Sequence, residues 1–413
     1  MGAGAERNPP CSCGSGRKFK KCCRDKAVPA PLSSLAVPPE VRAEWGRRMR
    51  EENERRRRFG KVRPLITTTH QGHRFVAVGS RIYFHKDWRT FTDFLLFYVR
   101  DVMGREWWTA ESAKKGYERH PILQWYDRWV EASKTAQRED GGIVSGIPDG
   151  LMTALMLLAY DLYILRDHAK LQEEVVQRLR IRDQFQGARY ELFVAATFVR
   201  AGFEFAYEDE SDTKRKHAEF IATHKESGLV VAVEAKARHR VVKVPFDVAS
   251  IRPGVKQLLV SAAEKDPAHP LIVFLELSLP PEPVHQPPSW VPHVNAVVLD
   301  IAQDNHGQSP FGAVFFTNRP HIYGQPDEPD PAKHYYAVWP DGSPVPEAII
   351  DALGEAAKQY GNVPSRFPDD FPQEQVAEEA PGTRDAAESV QRAHSTHRDQ
   401  LVQSIVITAS TSS

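Results

Sequence analysis

The sequence of 413 residues lacks an excess of charge of either sign, because 54 Lys and Arg residues balance 54 Asp and Glu residues. Bulk charge therefore does not indicate a polyanionic partner, and a nucleic-acid surface has to come from local clusters. Long apolar runs are also absent. The longest, residues 151–165, is interrupted by Asp161 and is shorter than the roughly 20 residues that cross a bilayer. We expect a buried helix there and no membrane partner.

The N-terminus, Met-Gly-Ala-Gly-Ala-Glu-Arg-Asn-Pro-Pro, lacks the apolar core of a secretory signal. The sequence therefore predicts a cytoplasmic protein, in which cysteines stay reduced and are available to metal. Cysteine is scarce, and all of it is crowded near the N-terminus at Cys11, Cys13, Cys22 and Cys23. Zinc takes four thiolates in a tetrahedron, and Gly14 and Gly16 allow the tight reversal that brings the two cysteine pairs together. A short segment without a core can fold by binding such an ion.

Residues 10–23, Pro-Cys-Ser-Cys-Gly-Ser-Gly-Arg-Lys-Phe-Lys-Lys-Cys-Cys, closely resemble the SEC-C zinc motif, which is known from the tail of the bacterial preprotein translocase motor. The resemblance implies that the four cysteines bind one structural zinc ion. It also implies that the module has no chemistry of its own and docks the chain to a protein or to the ribosome.

The next 150 or so residues predict a linker, a charged segment and a mainly helical region. Residues 27–40 are rich in Pro, Ala and Ser, as linkers are. Residues 41–63 contain four consecutive arginines at 55–58, but interspersed glutamates favour a solvated helix with i,i+4 ion pairs over a nucleic-acid handle. Residues 74–79 and 81–84 predict a hairpin, and helices follow. Aromatic residues at helical spacing favour core packing over base stacking: Trp107, Trp108, Trp125, Tyr126 and Trp129.

From residue 183 the pattern predicts a helix over 184–201, strands over 203–207, 217–223 and 229–237, a helix over 255–265 and a strand over 270–277. The third strand is an apolar run that ends in Glu-Ala-Lys. Side chains two residues apart on a strand share a face, so Glu234 and Lys236 lie together while Val233 and Ala235 take the other side. An acid and a base at the end of a buried strand can hold a metal and stabilise a developing anion.

This order of elements, with Glu219 on one strand and Glu234-Ala235-Lys236 on the next, resembles the PD-(D/E)xK nuclease superfamily over about residues 183–279. The resemblance implies a restriction-endonuclease-like core. It implies that Glu219 and Glu234 bind Mg²⁺ or Mn²⁺, and that Lys236 contacts the attacking water or the scissile phosphate. Glu191, on the preceding helix, matches a glutamate that often completes the site, and Gln257 matches a glutamine of some branches.

Elementary chemistry agrees with these roles. Hydrolysis of a phosphodiester needs an activated water and a neutralised oxyanion, which a hard cation held by carboxylates supplies. A lysine adds positive charge where negative charge grows. Basic residues flank the carboxylate strands and suit a polyanionic substrate: Lys214, Arg215, Lys216, Arg238, His239 and Arg240.

The sequence thus predicts an α/β (α+β) protein with a mixed sheet flanked by helices, preceded by a helical region and a zinc module. The predicted parts are 1–26, 27–63, 64–182, 183–345 and 346–413, the last with a short helix between 384 and 406 in a mostly disordered tail. The predicted function is a cytoplasmic, metal-dependent nuclease acting on DNA or RNA. Position 219 is Glu where the family most often has Asp, so an inactive nuclease-fold adapter that binds nucleic acid, the ribosome or a protein stays open. A simple ion pair between Glu234 and Lys236 also stays open.

Overall fold

A computed structural model describes residues 43, 46–47, 49–50, 61–62, 65–135, 148–206, 218–238, 247–265, 268–280, 282, 287–319, 333–358, 363–364, 366–367, 391–392 and 402–409. The chain divides into two units, Met1–Asn53 and Glu54–Ser413. In the first unit, the few described residues between 43 and 50 are helical, in agreement with the predicted charged helix. The predicted zinc module and linker lie outside the described residues.

The second unit begins with a three-stranded antiparallel sheet and a group of helices. The sheet consists of β1 (Ile66–His70), β2 (His73–Val78) and β3 (Arg81–His85). The predicted hairpin at residues 79–80 is confirmed, and β1 adds a strand that the sequence analysis missed. Five helices follow: α1 (Phe91–Met103), α2 (Arg105–Ser112), α3 (Pro121–Thr135), α4 (Gly150–Ile164) and α5 (Ala169–Leu179).

The second half of the chain forms a mixed sheet with helices on its two faces. Its elements in chain order are α6 (Phe185–Arg200), β4 (Phe203–Ala206), β5 (Phe220–His224), β6 (Val230–Ala237), α7 (Arg252–Ala263), β7 (Leu271–Glu276), α8 (Val291–Asp304), β8 (Ala313–Asn318), β9 (Lys333–Pro340), α9 (Glu347–Lys358), β10 (Gln391–Arg392) and β11 (Val402–Ala409). The predicted order of helix, three strands, helix and strand is confirmed for α6 to β7.

Six strands, in the spatial order β9-β8-β7-β6-β5-β4, form the body of this sheet, and β11 and β10 extend it beyond β9. The central pairs β6–β7 and β7–β8 are parallel, whereas the pairs on both sides are antiparallel. Helices α7 and α8 connect the parallel strands and pack with them in one core, so both crossovers lie on the same face. The opposite face packs against α6 and α9, whose apolar residues belong to a second, larger core.

Two helix starts illustrate how the sequence fixes its local structure. Thr90 and Asp93 form a capping box at the start of α1, because each side chain accepts a hydrogen bond from the other residue's backbone N–H. The Asp149 side chain caps α4 by accepting a hydrogen bond from the backbone N–H of Met152. These caps satisfy backbone donors that no helical partner can reach.

The helical region buries the aromatic residues that the sequence predicted as core. Trp108 and Trp125 are buried, and Trp107, Tyr126 and Trp129 pack partly buried against the same core. The predicted core packing is therefore confirmed, with Trp108 and Trp125 inside the core and the other three at its edge. The apolar run at 151–165 forms the buried helix α4, as predicted. Within the ranges given above, no helix combines the length and apolarity that a membrane crossing requires.

Four ionisable groups of the described residues lie deep in the helical core: Asp161, Arg189, Arg200 and His120. Arg189 pairs with Asp161, Nη1 to Oδ2 at 2.7 Å, and both side chains are fully buried. Arg200, at the end of α6, is also buried, and none of its guanidinium nitrogens has a hydrogen-bond partner among the described residues; the group lies 5.6 Å from the ring centre of Tyr160. His120 is buried between Trp107 and Phe185, and this burial lowers its pKa to about 4.

The C-terminal part differs from the prediction. A strand, β11, occupies residues 402–409, in the region where a short helix was expected, and pairs antiparallel with β9. The segment Val-Gln-Ser-Ile-Val-Ile-Thr-Ala is rich in β-branched residues, which favour a strand over a helix. Helix α9 at 347–358 was not predicted, although its apolar residues recur at helical spacing.

Candidate active site

Neighbouring strands bring two carboxylates of the predicted site to the same place. Phe220 pairs with Val233 in the antiparallel β5–β6 register, and the Glu219 backbone N–H donates to the Val233 carbonyl at 3.0 Å. Glu219 immediately precedes the first paired residue of β5, and the ammonium of Lys265 contacts both its carboxylate and that of Glu234. The fold therefore brings these two predicted metal ligands together.

The alternation of β6 sends Glu234 and Lys236 to the face that carries α7 and α8. Ala232 belongs to the core of that face, whereas Val233 and Ala235 belong to the core of the opposite face. The predicted division of these side chains between two faces is confirmed. Glu234 is fully buried, and Lys236 is partly open to solvent.

Two ammonium groups neutralise the buried Glu234 carboxylate. Lys236 Nζ contacts Glu234 Oε1, and Lys265 Nζ lies 2.8 Å from Glu234 Oε2. Lys265 Nζ is also 3.9 Å from Glu219 Oε1, so one ammonium lies between the two carboxylates. Both oxygens of Glu234 are therefore engaged by ammonium groups, and each oxygen of the ionised carboxylate has a further lone pair that can accept.

Glu219 lies in an environment that disfavours its charge. Burial, followed by the negative charges of Glu191 and Glu234, raises the pKa of Glu219 to about 7, whereas Lys265 and Lys236 oppose the shift. At neutral pH a substantial fraction of this carboxyl group is therefore protonated. Any additional positive charge at the site stabilises the ionised form of Glu219.

Glu191 is close enough to influence Glu219 but has a different partner. It lies on α6, which packs on the opposite face of the sheet, and its carboxylate forms a bidentate pair with Arg178 of α5. The Nη1–Oε1 distance of this pair is 2.7 Å. Its assignment as a third carboxylate of the metal site stays a prediction. In the described part of the chain, no group of three or more His, Cys, Asp or Glu residues is placed to hold a metal ion.

The Glu219 and Glu234 pair nevertheless fits a hard divalent cation. Mg²⁺ is commonly held by one or two carboxylates and keeps several waters or phosphate oxygens as its other ligands. Glu234 offers two buried oxygens with further lone pairs, and the Glu219 carboxylate lies near them, on the other side of the Lys265 ammonium. The oxygen-only donor set excludes the soft-metal chemistry that thiolates support.

Lys265 is the site residue that the sequence analysis missed. It follows the end of α7 and precedes β7, and its position beside Glu234 depends on how the crossover returns along the sheet. The sequence did contain a signal for it, because Lys265 is the last residue of the helix predicted after the Glu-Ala-Lys strand. Gln257, which was matched to the family's glutamine, is exposed on α7.

A second buried carboxylate lies on the opposite face, at the end of β7. Glu276 accepts hydrogen bonds from the Thr317 hydroxyl at 2.5 Å and from the backbone N–H groups of Arg319 and Ser278. Burial raises the pKa of Glu276 to about 7 despite these bonds. Because its acceptors are used, Glu276 holds the ends of β7 and β8 together rather than offering ligands.

Several predicted site residues lie outside the described residues. These are the cysteines of the zinc module and most of the basic residues that flank the carboxylate strands: Cys11, Cys13, Cys22, Cys23, Lys214, Arg215, Lys216, His239 and Arg240. Arg238 is described, and its guanidinium donates to the Leu277 carbonyl at 3.2 Å. Arg238 therefore anchors β6 to the end of β7.

Comparison with known protein families matches residues 7–25 to the SEC-C motif. The matched segment contains the four cysteines, so the predicted resemblance of residues 10–23 to this motif is confirmed. It covers a small part of the 413 residues. Comparisons with curated proteins and with solved structures found no match.

Proposed function

We propose that the part of the chain that forms the mixed sheet and its flanking helices is a metal-dependent nuclease that hydrolyses phosphodiester bonds of nucleic acid. The observation that carries the proposal is the fully buried Glu234, which has Lys236 beside it on the same strand and shares the Lys265 ammonium with Glu219. A buried carboxylate with lysine partners is a poor stability device, because apolar residues of similar volume serve as well or better. Its presence at the end of a buried strand supports a chemical role.

Each residue has a role that follows from its position. Glu234 and Glu219 would hold the divalent cation, which when bound activates water and neutralises charge on the phosphate. Lys236 stands beside Glu234 and retains access to solvent, so its ammonium would contact a non-bridging oxygen of the scissile phosphate. Lys265 would have to leave its place between the two carboxylates when the cation binds. The element order from α6 to β7 further supports a restriction-endonuclease-like core.

The experiment compares cleavage of labelled single- and double-stranded DNA and RNA in Mg²⁺, Mn²⁺ or EDTA. We expect cleavage that requires the divalent ion and falls at least about 100-fold in Glu234→Gln and in Lys236→Met. Glu204→Gln is the matched control, since Glu204 is an exposed carboxylate of the same sheet that pairs with Lys225. Equal cleavage by the four proteins would refute the assignment.

A second candidate function is an adapter that has the nuclease fold and binds nucleic acid, the ribosome or a protein without cutting. The observation that favours it is the pair of lysines, since Lys236 and Lys265 both contact the Glu234 carboxylate and neutralise its charge. Binding of nucleic acid with no cleavage in any divalent ion would select this function. Glu219, where aspartate is the commoner residue of the resembled family, points the same way.

We propose further that the SEC-C motif at residues 7–25 binds one zinc ion and docks the chain to a protein or ribosomal partner. Four closely spaced thiolates are the donor set of structural zinc sites. Metal analysis of reduced protein should find one equivalent of zinc, which is lost when Cys11 and Cys22 are both replaced by serine. Zinc retained by that double variant would refute the assignment.

A further inference from the structure

The carboxylate of Glu191 is held by a guanidinium from the neighbouring helix. Arg178 of α5 donates from Nη1 to Glu191 Oε1 at 2.7 Å and from Nη2 to Glu191 Oε2, so both carboxylate oxygens are engaged. A bidentate pair of this kind fixes the direction of the carboxylate and also neutralises its charge. The side chain of Glu191 is 15% exposed and that of Arg178 is 39% exposed, so the carboxylate is the more shielded partner.

Glu191 acts on the candidate metal site without joining it. After burial, its negative charge is the largest cause of the raised pKa of Glu219. Burial lowers the pKa of Arg178, but the hydrogen bond and charge of Glu191, and then the charge of Glu219, raise it above its ordinary value. Yet no three His, Cys, Asp or Glu side chains of the described residues are placed to hold one ion. The oxygens of Glu191 are turned to Arg178 instead.

A Glu191 carboxylate without Arg178 would need another cation. It is mostly buried, and a buried carboxylate that loses its partner is strongly destabilised. A divalent ion held by Glu219 and Glu234 would supply positive charge close to it. Hard cations bind more tightly as the number of charged oxygen ligands rises, so both the carboxylate and the ion would gain from the contact.

We propose that Arg178 is a positioning residue that holds Glu191 away from the metal, so that the site binds its cation through Glu219 and Glu234 alone. This inference rests on the proposed function for the presence of the metal, and it goes further by setting the number of carboxylate ligands. With two carboxylates, the ion keeps its other coordination positions for water and phosphate oxygens, as Mg²⁺ commonly does.

The first test measures Mg²⁺ binding to the full chain by isothermal titration calorimetry in the absence of nucleic acid. Arg178→Met should bind Mg²⁺ roughly tenfold more tightly than the wild type, because Glu191 becomes a third carboxylate ligand. Arg178→Met combined with Glu191→Gln, which removes both charges of the pair, should bind as the wild type does. Arg128→Met is the matched control, since Arg128 pairs with Asp149 at similar exposures of 43% and 16% and should leave Mg²⁺ binding unchanged.

The second test distinguishes a new ligand from a change in the electric field of the site. Eu³⁺ is a hard cation that suits oxygen ligands, and its luminescence lifetimes in H₂O and in D₂O report how many water molecules it carries. Bound Eu³⁺ should carry fewer waters in Arg178→Met than in the wild type, because a coordinating carboxylate displaces water. The loss of a positive charge would alter the affinity but would leave the hydration of the ion unchanged.

Several results would overturn the proposal. Weaker Mg²⁺ binding by the double variant would show that Glu191 is already a ligand in the wild type, and this outcome decides the question even if Arg178→Met does not fold. Equal affinity or equal Eu³⁺ hydration of Arg178→Met and the wild type would exclude the release of Glu191, and absence of Mg²⁺ binding in every variant would exclude the site.

Failure of this inference is distinguishable from failure of the proposed nuclease. Tighter Mg²⁺ binding and lower Eu³⁺ hydration in Arg178→Met, without cleavage of nucleic acid by the wild type, would refute the nuclease alone. Metal-dependent cleavage by the wild type, with unchanged metal binding in Arg178→Met, would refute only the role of Arg178.

Discussion

Replacing Glu219 by glutamine tests whether the site stores unfavourable charge in the absence of metal. The pKa of Glu219 is raised from 4.5 to about 7 by burial and by the neighbouring Glu191 and Glu234. One pKa unit corresponds to about 1.36 kcal/mol, so ionised Glu219 destabilises the fold by up to about 3 kcal/mol. Glutamine has nearly the same shape and carries no charge. It therefore removes this cost.

The sign of the pH dependence follows from the direction of the shift. The folded protein binds the Glu219 proton more tightly than the unfolded chain, so this group lowers stability as the pH rises from 4.5 through about 7. At pH 8 we expect Glu219→Gln to be more stable than the wild type by up to about 3 kcal/mol, because the net shift of the pKa already includes the attraction to Lys265. At pH 4.5 the difference should vanish. Glu276 titrates in the same range, but its contribution is common to both proteins and cancels in the comparison.

The assay is urea unfolding followed by tryptophan fluorescence, in EDTA, at intervals from pH 4.5 to pH 8. Glu204→Gln, which removes an exposed carboxylate from the same sheet, is the control and should show no comparable trend. Adding Mg²⁺ at pH 8 should stabilise the wild type and should stabilise Glu219→Gln less, because the variant lacks one ligand. A Glu219→Gln variant whose stability relative to wild type does not change with pH would refute the reasoning.

Three further substitutions test the buried charges by the free energy of unfolding. In EDTA, Lys265→Gln should lower the free energy of unfolding by about 2 kcal/mol, because it removes one of the two ammonium groups beside buried Glu234. Mg²⁺ should restore more of this loss than it restores in the exposed control Lys256→Gln, and equal losses in the two variants would contradict the prediction. Arg200→Met should stabilise the protein by about 1–4 kcal/mol, since the buried guanidinium has no hydrogen-bond partner among the described residues; destabilisation would contradict this. His120 has a pKa lowered to about 4 by burial, so the wild type loses stability as the pH falls below 6.5. The stability of His120→Phe relative to the wild type should be about 2 kcal/mol greater at pH 5 than at pH 8. A stability difference that does not vary with pH would exclude the burial of neutral His120 as its cause.

Local patterns predicted most of the fold because the physical signals were local. The apolar spacing of α6, the glycine after it and the alternation of β5 and β6 each depend on neighbouring residues alone. The strand β11 was missed because its own β-branched residues were outweighed by the polar composition around them. Strand β1 was missed because its three threonines give no alternation of apolar and polar residues.

The candidate site was predictable to the extent that it follows the register of one strand pair. Glu219 and Glu234 meet because β5 and β6 are sequential antiparallel strands, and Lys236 follows from the two-residue period of β6. Lys265 was not predictable in this way, since its contact with Glu234 spans a helix and a crossover. The pairing of Glu191 with Arg178 likewise depends on how α5 packs against α6.

The buried Glu234 carboxylate links the two proposed functions, because its charge has to be neutralised in every state of the protein. In the structure, Lys236 and Lys265 supply that neutralisation, and Lys265 stands between Glu234 and Glu219. A divalent ion that binds both carboxylates takes the same place, so Lys265 and the ion compete for it. If Lys265→Gln tightens Mg²⁺ binding, the site is built to exchange an ammonium for a metal, as a nuclease requires. If Mg²⁺ binds neither protein, the two lysines are permanent counter-ions, and the adapter function is the one that the site can support.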